Sequence, residues 1–250
     1  MAKPNAIVLR AAGTNCDFET MAALSLAGFK ADLVHINELT RKKKSLQDYR
    51  LLVVPGGFTF GDYLGSAKVL ANKLRLKLSS EIPEFIESGN LVLGICNGFQ
   101  ALVKAGILPG FKGNYSEQLA TLTFNKSGHF QDEWVLLKKE SNKTPFVKGV
   151  ESIYCPINHG EGRFVPKDRK VIERLAENRQ IVFKYAENPN GSVADIAGIC
   201  DETGRVFGLM PHPEKVLFSI TNPLSTRKDF PEEGEGMQIF RNAFEFLNKK

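Results

Sequence analysis

Residues 91–102 read LVLGICNGFQAL. An apolar run, Leu91–Ile95, gives way to a single cysteine between two glycines, and a stretch of helix-compatible residues follows. That order predicts a strand, a sharp corner at Cys96 and a helix starting at Asn97. A strand-to-helix corner lifts its side chain clear of the sheet, the arrangement known as a nucleophile elbow. The free N–H groups and positive end of the helix then face the sulfur and favour thiolate over thiol.

Working outward, the N-terminal half alternates strands and helices. Ala6–Arg10 is an apolar run, Ala31–Ile36 reads as a second strand and Leu51–Val54 is a continuous apolar third. Between the first two lies a stretch in which Thr14 or Asn15 can cap a helix, with Asp17 and Glu19 in its first turn and Gly28 at its end. Helices are expected over Ser66–Leu78 and Glu84–Ser88. Strands that are apolar throughout, separated by helices, predict a parallel sheet covered on both faces. After Ala105 the pattern changes. Gln118–Phe124, Glu133–Leu137, Ser152–Pro156, Gln180–Tyr185, Val193–Cys200 and Val206–Met210 read as strands with little helix between them, so this half should continue the same sheet in antiparallel fashion. Asp168–Asn178 is a short helix or a loop, residues 219–236 a long surface loop, and Met237–Leu247 a closing amphipathic helix. The expected fold class is α/β, with three layers: a mostly parallel, mixed central sheet and helices on both faces. One domain over residues 1–250 fits the 250-residue length.

Composition narrows the class. Hydrophobic residues are 42 % and charged residues 24 %, ordinary for a globular chain with a sizeable core. No apolar run reaches the roughly 18 residues of a membrane span, and the first residues carry no signal-peptide pattern, so a cytoplasmic location and no membrane partner are expected. The net charge of +5 comes partly from Arg41, Lys42, Lys43 and Lys44 and from Lys73, Arg75 and Lys77. No nucleic-acid-binding signature accompanies these runs, which read as solvated surface. The four cysteines, Cys16, Cys96, Cys155 and Cys200, contain no CxxC pair, so neither a structural metal site nor a disulfide framework is expected.

A cysteine nucleophile needs a base, and the base needs an orienting group. Of the four histidines, His35 falls in a strand and His129 in a polar loop. His212 follows a strand end in Pro211-His212-Pro213-Glu214, where flanking prolines restrict the backbone and Glu214 can fix the ring tautomer. Spacing alone leaves a catalytic pair and a rigid surface turn level. Thioacyl chemistry also needs donors for a developing oxyanion. The Asn97 N–H after the nucleophile is one candidate, and Gly56-Gly57 at the end of the third strand can supply another, although Pro-Gly-Gly is also common turn punctuation. Cys16 stands near a helix start; as a small buried residue it needs no catalytic role. There is no Walker A or GxGxxG motif.

Together, PGG at 55–57, GICNG around Cys96 and PHPE at 211–214 resemble the class I, triad-type glutamine amidotransferases, whose fold is flavodoxin-like. The stretches GTNCD (13–17), PGGFTFGDYL (55–64), GICNGFQAL (94–102), HGEGRF (159–164), NPNGS (188–192) and GRVFGLMPHPEK (204–215) narrow the resemblance to the glutaminase subunits of phosphoribosylformylglycinamidine synthase. The LGSA after Gly61-Asp62-Tyr63 differs from the arginine-containing version of that family. The resemblance implies hydrolysis of L-glutamine to glutamate and ammonia, with the ammonia passed to a separate ATP-dependent synthase subunit that makes the amidine of purine biosynthesis. It implies no cofactor in this chain, with ATP and Mg on the synthase subunit, and in many bacteria a small third subunit. By motif it makes Cys96 the nucleophile, His212 the base and then acid, and Glu214 the orienting carboxylate. Gly57 and Asn97 fall at the oxyanion hole, and Phe58 and Gln100 flank the glutamine pocket. His159, Glu161 and Arg163 belong either to the subunit interface or to the ammonia path. A glutaminase for another synthase is disfavoured by HGEGRF and NPNGS. A scaffold that had lost catalysis is disfavoured by the complete Cys96, His212 and Glu214 set.

Overall fold

A computed structural model describes residues 3–227 and 231–249. In chain order the elements are β1 (Asn5–Arg10), α1 (Asp17–Ala27), β2 (Lys30–His35), α2 (Ile36–Thr40), β3 (Leu51–Val54), α3 (Lys68–Lys77), α4 (Glu81–Glu87), β4 (Leu91–Ile95) and α5 (Asn97–Ala105). Then come β5 (Ala120–Thr123), β6 (Gln131–Lys139), β7 (Ser152–His159), β8 (Arg163–Pro166), α6 (Arg169–Glu177), β9 (Ile181–Tyr185), β10 (Ile196–Cys200), β11 (Val206–Leu209) and α7 (Met237–Asn248).

Nine strands form one sheet in the order β2-β1-β3-β4-β11-β10-β9-β6-β7. The first five pair in parallel and the rest pair antiparallel. The central strands β3 and β4 are buried on both faces, which is why they show no polar alternation. From β1 the chain crosses to β2 on one side; from β3 it crosses to β4 on the other. Right-handed crossovers in opposite directions put α1 on one face and α3, α4 and α5 on the other. α7 packs with α1 and α3 with α5, which completes the layers.

Every residue of α5 is buried. It lies between β3, β4 and β11 on one side and α3 and β5 on the other. The outer cover is a separate two-stranded sheet, β5 with β8, whose Phe164 stacks on Phe99 of α5 at 6.4 Å between centroids. Burying side chains such as Phe99 and Leu102 contributes about 1.5–3 kcal/mol each, so the helix behind Cys96 is firmly seated.

The antiparallel half differs from expectation in three places. The strand expected at Gln118–Phe124 is β5, and it leaves the main sheet to pair with β8, which has no expected counterpart. β7 runs through Pro156 to His159; the proline is tolerated because β7 is the edge of the sheet. Val193–Asp195 is a single tight turn, and the strand begins at Ile196. Asp168 decides the 168–178 alternative in favour of a helix, its carboxylate accepting from Val171 N at 3.1 Å. Within the 219–236 segment, residues 228–230 lie outside the described residues. The rest is tied down: Gly234 N donates to Leu217 O at 2.9 Å and Tyr154 N to the Glu235 carboxylate at 2.6 Å.

Candidate active site

Four parallel strands end at one edge of the sheet, and each is followed by a loop that carries chemistry: β1 by Gly13–Cys16, β3 by Pro55-Gly56-Gly57, β4 by Cys96 and β11 by His212. β1 and β3 flank the point where the crossovers reverse direction, the usual place for a site in an open α/β sheet.

Cys96 has φ +51° and ψ −107°. A non-glycine residue in that region carries strain of roughly 1–3 kcal/mol, stored where the surroundings enforce it. They enforce it here. Cys96 N is bonded to Leu209 O at 2.8 Å and Gln100 N already bonds Cys96 O at 3.0 Å, so strand and helix leave no slack between them. Gly98 lets the helix sit this close: a Cβ on it would stand 1.8 Å from Val54 O. The Cys96 sulfur is 3.7 Å from Asn158 O, its weak acceptor.

His212 and Glu214 are 2 % and 1 % exposed. The imidazole Nδ1 and Glu214 Oε1 are 2.6 Å apart, and His212 N donates to Pro156 O at 2.9 Å, anchoring the turn to β7. Since the carboxylate accepts, Nδ1 carries a hydrogen, and Nε2 is the ring nitrogen left to gain or lose a proton. Nε2 is buried with no hydrogen-bond partner among the described residues. Burial opposes a charged imidazole, but the Glu214 carboxylate, Cys96 and Cys16 outweigh it and hold the His212 pKa well above its ordinary value. A dry carboxylate beside an imidazole thus stabilises the imidazolium a cysteine proton would create. Donor atoms of Cys16, His212 and Glu214 lie within 4.8 Å of one another, a chemically suitable set for zinc. The 2.6 Å contact is nonetheless a hydrogen-bond length, shorter than the about 3.3 Å between two ligands of a tetrahedral zinc.

At the oxyanion candidates, the turn after β3 is clamped from both sides. Phe58 N donates to Gly13 O at 2.8 Å and Phe60 N to Ala12 O at 2.7 Å, while Gly56 O accepts from Asn15 N and Cys16 N. Gly57 lies between these bonds at φ +146°. Asn97 heads α5, where N–H groups have no intrahelical acceptor. Its side chain is fully used: Oδ1 accepts from Thr59 N at 3.1 Å and Thr59 Oγ1 at 2.6 Å, and Nδ2 donates to Gln100 and Asp62.

The remaining sequence-derived residues separate into rim and frame. Phe58 is 44 % exposed and lies 6.3 Å, centroid to centroid, from Phe130. Gln100 is buried, with Nε2 on Glu161 O at 2.7 Å and Oε1 on Asn97. Glu161 forms a buried pair with Lys104 at 3.1 Å and accepts from Ser66 N at 3.0 Å. Arg163 Nε donates to Gly191 O at 3.2 Å, and Phe164 N to Ser192 Oγ at 3.0 Å, so the HGEGRF and NPNGS stretches grip each other. His159 is buried. Its Nδ1 is 3.0 Å from Asn125 Oδ1, which only accepts, so Nδ1 carries the hydrogen. Burial, then the nearby His212 charge, push its pKa down to about 4. Sequence reasoning missed Asn125, which also bonds Gly162 N, His129 O and His159 O; nothing in its local sequence marks it. Cys16, expected as a small buried residue near a helix start, is 4 % exposed.

Residues 3–247 match the CobB/CobQ-like glutamine amidotransferase domain. Among curated proteins, the phosphoribosylformylglycinamidine synthase subunit PurQ of Dehalococcoides mccartyi is 44 % identical over 256 residues, covering 100 % of both chains. That of Methanococcus maripaludis is 41 % identical over 268 residues, covering 98 % of each. Among solved structures, a chain of PurLQS from Thermotoga maritima superposes with a TM-score of 0.79 at 35 % identity, covering 98 % of this chain and 100 % of that one.

Proposed function

The chain belongs to the CobB/CobQ-like glutamine amidotransferase family, and we propose that it is the glutaminase subunit of a phosphoribosylformylglycinamidine synthase, with Cys96, His212 and Glu214 as its triad. The observation that carries the reading is the buried 2.6 Å His212–Glu214 pair beside a strained cysteine elbow. Cys96 gives its proton to His212 Nε2 and attacks the side-chain amide carbon of L-glutamine. The oxyanion is met by the Gly57 and Asn97 N–H groups, each worth about 3 kcal/mol. His212 returns the proton to the departing nitrogen, ammonia leaves, and a γ-glutamyl thioester remains on Cys96. A water deprotonated by His212 then releases glutamate.

Full-length similarity to PurQ chains, and to a chain of the PurLQS assembly, supports a synthase subunit as partner and purine biosynthesis as the setting. Ammonia is useful there only if it remains unprotonated, so it passes to the synthase, which supplies the ATP- and Mg-dependent step. We read residues 1–250 as one amidotransferase domain working in the cytoplasm; among the described residues, no helix is long and apolar enough to cross a membrane. Phe58 lies at the glutamine pocket's rim. Gln100 reaches the substrate only by exchanging its bond to Glu161 O. His159, Glu161 and Arg163 frame the wall through which ammonia leaves.

The test mixes the chain with a synthase subunit and measures amidine formation from glutamine and from ammonium salts. Cys96→Ala should abolish the first and retain the second. Glutamine-driven turnover in the variant would refute the nucleophile. A second reading, glutaminase of another synthase, predicts amidine from ammonium salts but none from glutamine.

A further inference from the structure

The Nδ1 side of the His212–Glu214 pair is closed by a side chain that the mechanism above does not use. Cys16 Sγ lies 3.9 Å from His212 Nδ1, and the residue is 4 % exposed. The sulfur's proton is directed to Asn15 Oδ1 at 3.2 Å. The fit is close: a Cβ on Gly56 would stand 2.7 Å from His212 Cε1 and 3.2 Å from Cys16 Sγ, so strand end, thiol and imidazole fill one another's space.

The backbone holds this thiol in place independently of the catalytic pair. Cys16 N donates to Gly56 O at 3.2 Å, and Cys16 O accepts from Thr20 N at 3.2 Å and Thr20 Oγ1 at 2.7 Å. Gly13, three residues earlier, stands at φ +87°, and a Cβ there would be 2.0 Å from Phe58 O. The Gly13–Cys16 loop is therefore built to lie flat against the turn after β3.

We propose that Cys16 is a positioning residue for His212: its uncharged thiol packs on the imidazole, keeps water from the Nδ1–H···Glu214 hydrogen bond, and so holds Nε2 toward Cys96. The inference rests on His212 being the base. Glu214 Oε2 is buried without a hydrogen-bond partner among the described residues. A water admitted where the sulfur now lies would donate to that carboxylate and compete with Nδ1–H. Sulfur suits the place because it is bulky and weakly polar. Burial raises its pKa above the ordinary value despite the hydrogen bond and charge of His212, so no second anion forms beside Glu214. The other groups facing the pair are Cys96 from the β4–α5 corner and His159 from the end of β7, with Lys215 and Cys155 near Glu214.

The test uses the assembled synthase with Cys16→Ala, Cys16→Ser and Cys96→Ala chains. Cys16→Ala should lower glutamine-driven kcat about tenfold, in line with a sub-ångström loss of orientation. KM for glutamine and ammonium-driven turnover should stay within about twofold. Alkylation of Cys96 by iodoacetamide, followed by peptide mapping, should slow in parallel. Cys16→Ser keeps a neutral donor for Asn15 and should recover most of the loss. Unchanged kcat in Cys16→Ala overturns the proposal, as does an equal loss of ammonium-driven turnover, which would mean a role in folding or docking. Should Cys16→Ala not fold, Cys16→Gly decides: it opens the same space beside the imidazole at a position where glycine is tolerated, and full kcat in that variant has the same force. Cys96→Ala keeps the two levels apart. If it retains glutamine-driven turnover, the triad itself fails; if it is inactive while Cys16→Ala is fully active, only the role of Cys16 fails.

Discussion

Cys96 and Cys16 each stand at the N-terminus of a helix, each is 4 % exposed, and each acts on the charge of His212. Their backbones differ. Cys96 is held at φ +51° in a corner with no slack; Cys16 sits at a relaxed φ of −101°. Their hydrogen-bond partners differ too: the Cys16 proton goes to an amide oxygen at 3.2 Å, while the Cys96 sulfur meets the Asn158 carbonyl at 3.7 Å. A helix terminus favours an anion by about 0.3–1 kcal/mol, less than one pKa unit. Burial can move a pKa by up to about 3–5 units. At Cys16 burial wins and the pKa rises. A helix N-terminus alone therefore does not make a cysteine a nucleophile; in the proposed triad the strained strand corner at Cys96 sets it apart from Cys16.

The largest effect that would break this contrast belongs to Cys96. Cys96→Ala should lose at least about 10⁴-fold in glutamine hydrolysis, against about tenfold for Cys16→Ala; steady-state glutaminase assays that reverse the order would exchange the two roles. Next comes the imidazole that both sulfurs flank. Glu214→Gln keeps the shape but lets the ring turn or adopt the other tautomer, and kcat should fall about 10³-fold. A value near wild type would remove the carboxylate from the mechanism.

A dry interior behind the elbow predicts a pH effect on stability. His159 has a pKa of about 4 in the fold against 6.5 unperturbed, so the unfolded chain binds the proton more readily. Stability should fall as pH drops from about 6.5 toward 4, by on the order of 3 kcal/mol. His212 shifts the opposite way: its contribution is full below about 6.5 and declines as pH rises above that. Urea unfolding of wild type and His159→Gln between pH 7 and 4.5 isolates the first term, since the second is common to both; equal acid slopes would mean that water reaches His159.

The smallest effect sharpens the comparison at the glycines. Gly98 behind Cys96 and Gly13 before Cys16 both allow a close approach to a carbonyl, at 1.8 Å and 2.0 Å for an added Cβ. Alanine at either should destabilise by about 1–3 kcal/mol in denaturant unfolding. Glutamine-driven turnover of the folded fraction should fall further for Gly98→Ala, because that residue seats the nucleophile's helix.

Much of the frame was legible in residue order. Continuous apolar strands alternating with capped helices marked the parallel half, because a sheet buried on both faces tolerates no polar alternation. The antiparallel half was less legible, and β5 shows why: a four-residue strand carries no mark of its partner, and pairing with β8 rather than the main sheet depends on Phe164 stacking over Phe99. The same limit applies to Glu161 and Arg163. As residue types they suit an interface or a channel; their bonds to Lys104 and to the Gly191 carbonyl appear only in the fold.

The sequence alone determined the local chemistry of the site: a cysteine at a strand–helix corner, a proline-flanked histidine after a strand, and a carboxylate two residues on. Each is encoded within a few consecutive residues, where backbone sterics and spacing act directly. The tertiary structure alone decided what surrounds that chemistry: Cys16 against a base 196 positions away, Asn125 setting the tautomer of His159, and the clasp of HGEGRF by NPNGS. Those contacts depend on strand order and crossover hand, which bring the ends of β1, β3, β4 and β11 to one edge, and strand order is written in no local stretch of the chain.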